Sequence, residues 1–212
     1  MPNLPISQLP AAAPLSGSEL FATVQSGVTK YTTLSSITQV QGNNYGLFTQ
    51  TGSSTPIAAT TTSGSLLGAG AGSLSVPANG FRLGDAFQAS FSGKISAQNN
   101  DTLQILVKSD GVVLSDTGVM SMSGVTSKSW RLDIDFAIHK IGAAGVAEIS
   151  TAGVFQYRQD ASNALIGEIF TSINSSSFDT TITNTLVVTA QWGSNNANNS
   201  IYSEFFLLKK VY

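Results

Sequence analysis

Charge is scarce in this 212-residue chain: Asp, Glu, Lys and Arg make up 10% of it, against roughly a quarter in an average soluble domain. There is one histidine, His139, and no cysteine. Polar catalysis draws on His, Cys or sets of Asp, Glu and Lys, so the chain has few groups from which to build an active site. The lack of cysteine removes disulfides and thiolate metal sites. Ten Lys and Arg against twelve Asp and Glu give a net charge of −2. No segment is basic enough to hold a phosphate backbone, so nucleic acid is not an expected partner. No window reaches the apolar length needed to cross a bilayer, which argues against membrane insertion. Met1-Pro2-Asn3-Leu4-Pro5 has no basic n-region and leads into no apolar run, so no signal peptide is read there.

In place of charge stand Ser, Thr, Asn, Gln and Gly, threaded between Val, Ile, Leu and Phe. Hydrophobic residues make up 42% of the chain, enough to form a core. A surface of hydroxyls and amides with so little net charge puts up little repulsion against copies of itself.

Residues 1–40 read as a unit of their own. Pro2, Pro5, Pro10 and Pro14 keep the first stretch extended. Residues 19–25 and 28–34 then flank Ser26-Gly27 as the two arms of a hairpin. Residues 41–62 are rich in turn formers around one short possible strand, Leu47 to Thr51, and are expected to be a connector. From residue 63 to 212 short strands alternate with turn clusters. The clearest is Trp130 to His139, apolar at even positions and mostly charged at odd ones. Further strands are expected at 86–95, 102–108, 145–156, 164–172, 185–192 and 202–212. Gly68-Ala69-Gly70-Ala71-Gly72 is expected to be a flexible turn. Phe205-Phe206-Leu207-Leu208 has the look of a strand covered on both faces, either central in the domain or covered by a neighbouring subunit. The fold expected is all-β: an antiparallel β-sandwich, of the jelly-roll or tumour-necrosis-factor-like type, with a small amino-terminal hairpin appendage.

Three groups of side chains invite a chemical reading. Asp133, Asp135 and His139 share one face of a strand, but at about 3.3 Å per residue neighbours there lie roughly 7 and 13 Å apart. That is too wide for one ion, and the face is expected to be solvated with Arg131 balancing an acid. Glu148, Glu168, Asp179 and Glu204 are the carboxylates that a fold would have to bring within 5–10 Å of each other for glycoside hydrolysis. Trp192 before an Asn-rich turn, and Tyr157 beside Arg158, could stack on a sugar, although packing in a core or interface is the commoner fate of such rings. No serine sits in a nucleophile elbow. No catalytic residue, cofactor or metal is expected.

The first forty residues also carry a resemblance. Ile6-Ser7-Gln8-Leu9-Pro10, Leu15-Ser16-Gly17-Ser18-Glu19-Leu20-Phe21 and Val24-Gln25-Ser26-Gly27-Val28-Thr29-Lys30-Tyr31-Thr32-Thr33-Leu34-Ser35-Ser36-Ile37 resemble a short module near the amino termini of many virion appendage proteins. Tail-fibre and head-fibre proteins of bacteriophages and some large viruses are among them. The resemblance implies attachment to a virion base, with Leu9, Leu20, Phe21, Val24, Tyr31, Leu34 and Ile37 as the apolar positions available for docking. The remainder is similar in texture to the trimeric outer domains of such proteins. The expectation is a viral structural protein on the virion surface: a homotrimeric fibre, knob or capsid decoration that contacts other virion proteins through its amino-terminal segment. Its outer domain would bind a host surface glycan or protein, or stabilise the shell. A carbohydrate-binding or carbohydrate-active module is the alternative.

Overall fold

Period-two alternation, strongest at Trp130–His139, governs the whole architecture. The structure, a computed structural model, describes residues 20–33, 47–160 and 162–211. Every regular element among them is a strand. The chain divides into two compact units, Met1–Asn44 and Tyr45–Tyr212.

In the first unit β1 (Leu20–Gln25) and β2 (Val28–Thr33) form an antiparallel hairpin, in register from Leu20 opposite Thr33 to Gln25 opposite Val28. Ser26 and Gly27 both take positive φ, 53° and 75°. This is the mirror-image two-residue turn that matches strand twist.

The second unit is an antiparallel β-sandwich. Its strands are β3 (Leu47–Gln50), β4 (Ile57–Ala58), β5 (Gly64–Ser65), β6 (Gly70–Ser73), β7 (Ser75–Val76), β8 (Ala86–Ala97) and β9 (Thr102–Ser109). There follow β10 (Val112–Asp116), β11 (Met120–Ser121), β12 (Val125–Lys140), β13 (Glu148–Arg158), β14 (Leu165–Ser175), β15 (Asn184–Trp192) and β16 (Ser200–Lys210). The larger sheet runs β14-β13-β12-β8-β16-β3-β6, with β4 also on β16. The smaller runs β10-β9-β15-β5, with β11 on β9 and β7 on β15. The pairing is nested. β3 and β4 pair with β16, β5 and β7 with β15, β8 with β12, and β9 with β10. The β13–β14 hairpin lengthens the larger sheet beyond β12.

Strand alternation places the core between the sheets. Every second residue of β8 and of β9 is buried, as are Trp130, Leu132, Ile134, Phe136 and Ile138 on β12. Phe91 and Phe206 stack with ring centroids 4.0 Å apart. Burying one such side chain is worth about 1.5–3 kcal/mol. An ion pair closes one end of this core. Lys210 Nζ lies 2.7 Å from Asp85 Oδ1, with both side chains under a tenth exposed.

Three segments differ from their sequence reading. Residues 47–62, expected to be connector, belong to the second unit. Phe48 is buried against Phe206 at 5.5 Å between ring centroids, and β3 and β4 supply pairing to β16. Only four alternating residues mark β3, too few to stand out among turn formers. Part of the expected glycine turn, residues 70–72, lies in strand β6, paired with β3. Its glycine is used for close approach: a Cβ on Gly70 would stand 2.2 Å from the Phe48 ring. The Phe205–Leu208 run lies on β16, central in the larger sheet as the first of its two readings expects, but within one chain its second face is open, with Phe205 46% exposed. The cause is a bulge at Glu204, between Ser203 opposite Gly93 and Phe205 opposite Ser92. The extra residue shifts the phase, so Ser203 and Phe206 both point inward.

Candidate functional site

The loops at one end of the sandwich enclose a polar cleft of about 500 Å³. They join β8 to β9, β11 to β12, β13 to β14 and β15 to β16. The polar side chains lining the cleft belong to Ser96, Gln98, Asn99, Thr126, Asp160, Asn198 and Ser200. One carboxylate is among them, and its charge is matched: Asp160 pairs with Lys128 at 3.1 Å and accepts from the Thr126 N–H at 2.9 Å. The cleft therefore presents amides and hydroxyls with almost no net charge.

Behind the cleft the loops are tied together by Asn199, which is fully buried. Its side-chain oxygen accepts from the Gln98 N–H at 2.9 Å, and its amide donates to Asp101. Asp101 also accepts from the Ser194 hydroxyl at 2.5 Å and from the Thr102 N–H at 2.7 Å. The Ser194 hydrogen bond is the chief reason the Asp101 carboxyl lies below the usual carboxylate range, with Asn199 and the Thr102 N–H adding to it against the opposing effect of burial. On the rim the Asn198 amide donates to Gln98 Oε1 at 2.8 Å. A loop end whose buried polar groups satisfy one another is rigid, because opening it strands several of them. The runs of Ser, Asn, Asp and Gly at 96–101 and 193–200 mark both loops as turns in the sequence. That they clasp each other through Asn199 is not marked there, because residues 98 positions apart in the chain carry no local sign of meeting.

At the other end of the same strands an apolar cavity of about 60 Å³ lies among Phe81, Phe87, Phe136, Phe178 and their neighbours. It is far below the several hundred Å³ of a ligand pocket, and it has the character of a packing gap.

The side chains singled out from the sequence are dispersed. Asp133 is taken up by Arg131, whose Nε lies 2.5 Å from it, and by the Ser90 hydroxyl at 2.8 Å. The hydrogen bond to Asp133 raises the affinity of the Arg131 guanidinium for its proton. Asp135 accepts from Gln88 at 3.1 Å. No cluster of three potential metal ligands exists among the described residues. Glu148 is ion-paired with Lys140 at 2.5 Å. Glu168 lies opposite Phe155, about 23 Å along β13 from Glu148 at 3.3 Å per residue. Asp179 is bound by the Thr181 hydroxyl and N–H, which lower its pKa. Glu204 occupies the bulge in β16.

Both candidate sugar-stacking rings belong to the core instead. Trp192 is 1% exposed, with its indole N–H donating to the Ile57 carbonyl at 3.0 Å. Tyr157 is 3% exposed, with its hydroxyl accepting from the Ser123 N–H at 2.9 Å. Each ring sits where its polar tip finds a backbone partner and its body fills the interior.

Of the expected anchoring residues, Leu20, Phe21, Val24 and Tyr31 are exposed on the hairpin of the first unit. Tyr31 stands opposite Ala22, so Leu20, Val24 and Tyr31 share one face. Leu9, Leu34 and Ile37 lie outside the described residues. No protein-family model matches the chain, and no curated protein sequence is similar to it.

Proposed function

We propose that this chain is a virion appendage or decoration protein that works by binding. Its amino-terminal segment attaches to other virion proteins, and its sandwich is displayed as the head of a homotrimer. The nested pairing of first strands with last and of middle strands with each other supports a jelly-roll reading of the head, since that architecture is a long hairpin wrapped into two sheets. Apolar Leu20, Val24 and Tyr31, exposed on one face of the hairpin, suit a surface that docks on another protein. The resemblance of residues 1–40 to virion-attachment modules supplies the particle.

The observation that carries the binding role is the loop-end cleft: neutral, rich in amides and hydroxyls, and held rigid from behind by Asn199. Such a site suits a ligand read by hydrogen bonds and not by charge, and a host surface glycan is the ligand class that fits. Each contact is weak, and three heads on one particle multiply them. The test is a glycan array probed with the intact chain, followed by titration of a hit against a Gln98→Ala, Asn198→Ala double variant. Affinity is expected to fall at least about tenfold, the loss of roughly 1.4 kcal/mol of contacts, with the melting temperature close to wild type. An array with no hit, or a hit indifferent to both side chains, overturns this role for the cleft.

A further inference from the structure

Among the described residues, most sheet edges are built from short strands: β6 has 4 residues, β10 has 5, and β4, β5, β7 and β11 have 2 each. β14 departs from this. It runs for 11 residues as the outermost strand of the larger sheet, and no described strand pairs with its far side. A long edge offers a row of unpaired N–H and C=O groups, which proteins ordinarily blunt by shortness, charge or proline. β14 contains no proline and a single charge, Glu168. Its outer face adds three large apolar side chains: Leu165, Ile169 and Ile173 are 56%, 76% and 67% exposed, on the side opposite buried Phe170.

The spacing of these three is symmetric about Ile169. In an antiparallel pairing of β14 with itself, Ile169 meets Ile169 and Leu165 meets Ile173. The same register sets Glu168 against Phe170 and Thr171 against Gly167, so no like charges face each other. The symmetric stretch ends where β14 stops being regular. Its register with β13 shifts between Ile149 and Thr151, and Asn174 there takes a φ of 52°.

We propose that β14 pairs antiparallel with β14 of a second copy across a two-fold axis at Ile169, making one continuous sheet from two eight-stranded ones. The occupant is a second copy because the edge is complementary to itself in spacing, in polarity and in charge, which is what an isologous contact requires. The contact goes beyond the function proposed above. It predicts an even number of copies: a dimer, or a hexamer if the trimeric arrangement also holds.

Light scattering on the intact chain, with and without Ile169→Lys, reads this directly. The expected result is a dimer or hexamer whose mass the substitution halves. Because the chain has no cysteine, Ile169→Cys supplies a second readout that does not depend on a disruptive variant. Directly opposed residues in an antiparallel pair have Cα atoms about 4.5–5.5 Å apart, within disulfide reach. Mild oxidant should link Ile169→Cys into covalent dimers, while Phe205→Cys, exposed on β16, should stay unlinked. A hexamer halved to a trimer supports both proposals, and a dimer halved to a monomer supports the two-fold contact alone. A trimer with unlinked Ile169→Cys overturns the two-fold contact and leaves the trimer standing. A monomer overturns both.

Discussion

Lys210→Met tests whether the end of the sandwich depends on its buried ion pair. Lys210 Nζ lies 2.7 Å from Asp85 Oδ1, and the side chains are 9% and 6% exposed. The other Asp85 oxygen accepts from the Arg82 N–H at 2.9 Å, and the ammonium sits 5.8 Å from the centre of the Phe87 ring. Methionine keeps most of the stem's volume, so the loss is chiefly electrostatic: a carboxylate is left in the interior without its cation. Breaking a buried pair from one side costs about 3–5 kcal/mol. For a domain of this size 1 kcal/mol moves the melting temperature by about 2–4 °C, so the variant should melt roughly 6–20 °C below wild type. In urea, with an m-value near 2 kcal/mol per molar, the midpoint should fall by roughly 1.5–2.5 M. Adding Asp85→Asn removes the stranded charge while leaving an oxygen for the Arg82 N–H. The double variant should therefore be more stable than Lys210→Met alone, a non-additivity that groups in contact show and independent groups do not. If Lys210→Met melts within about 2 °C of wild type, or if the two substitutions simply add, the pair does not close the core as described.

Two further outcomes follow from the loop end and the β13–β14 hairpin. The Asp101 carboxyl has its pKa lowered in the fold, first by the Ser194 hydroxyl; it therefore adds stability above the unfolded carboxylate pKa of about 3.9 and loses it as pH falls through the lower folded value. Asp101→Asn should flatten the acid side of a stability-against-pH curve, measured by urea titration between about pH 2 and pH 6, and an unchanged acid limb would sever this link. At Gly153 an added Cβ would stand 2.3 Å from the Phe170 ring of β14, so Gly153→Ala should cost about 1–3 kcal/mol by overpacking; a neutral result in thermal melting would mean that β14 does not pair in this register.

What the sequence displays is local, and what it hides is mostly pairwise. Trp130–His139 announces a half-buried strand because each residue reports its own side of the sheet; β12 itself runs from Val125 to Lys140, with irregularities at both ends that break the alternation. The β-sandwich class follows from many such segments, and the hairpin at Ser26-Gly27 from its turn chemistry. The failures share a cause. β3 is too short to show a period, yet its Phe48 fits under Phe206 more than 150 positions away. The bulge at Glu204 turns an apparently two-faced apolar run into a strand with one buried face. Trp192 and Tyr157 look like stacking platforms because they neighbour turns, and only the fold reveals the carbonyl and N–H that hold them inside.

The scarcity of charge takes on a more definite meaning once the pairs are located. Lys210 with Asp85, Lys128 with Asp160, Arg131 with Asp133 and Lys140 with Glu148 take up eight of the charged side chains. Three of these pairs are exposed enough to be worth little to stability, but they also cancel the local field, most consequentially at Asp160 beside the cleft. A net charge of −2 gives the chain little field with which to steer a partner from a distance, so in the binding role proposed above recognition falls to short-range hydrogen bonds and apolar fit. Those cost less to form between surfaces already held in shape. The Asn199 clasp gives that rigidity to the cleft, and the regular run of β14 gives it to the edge. In the proposed binding role, low charge and a rigid scaffold are thus two parts of one arrangement, in which specificity would come from geometry.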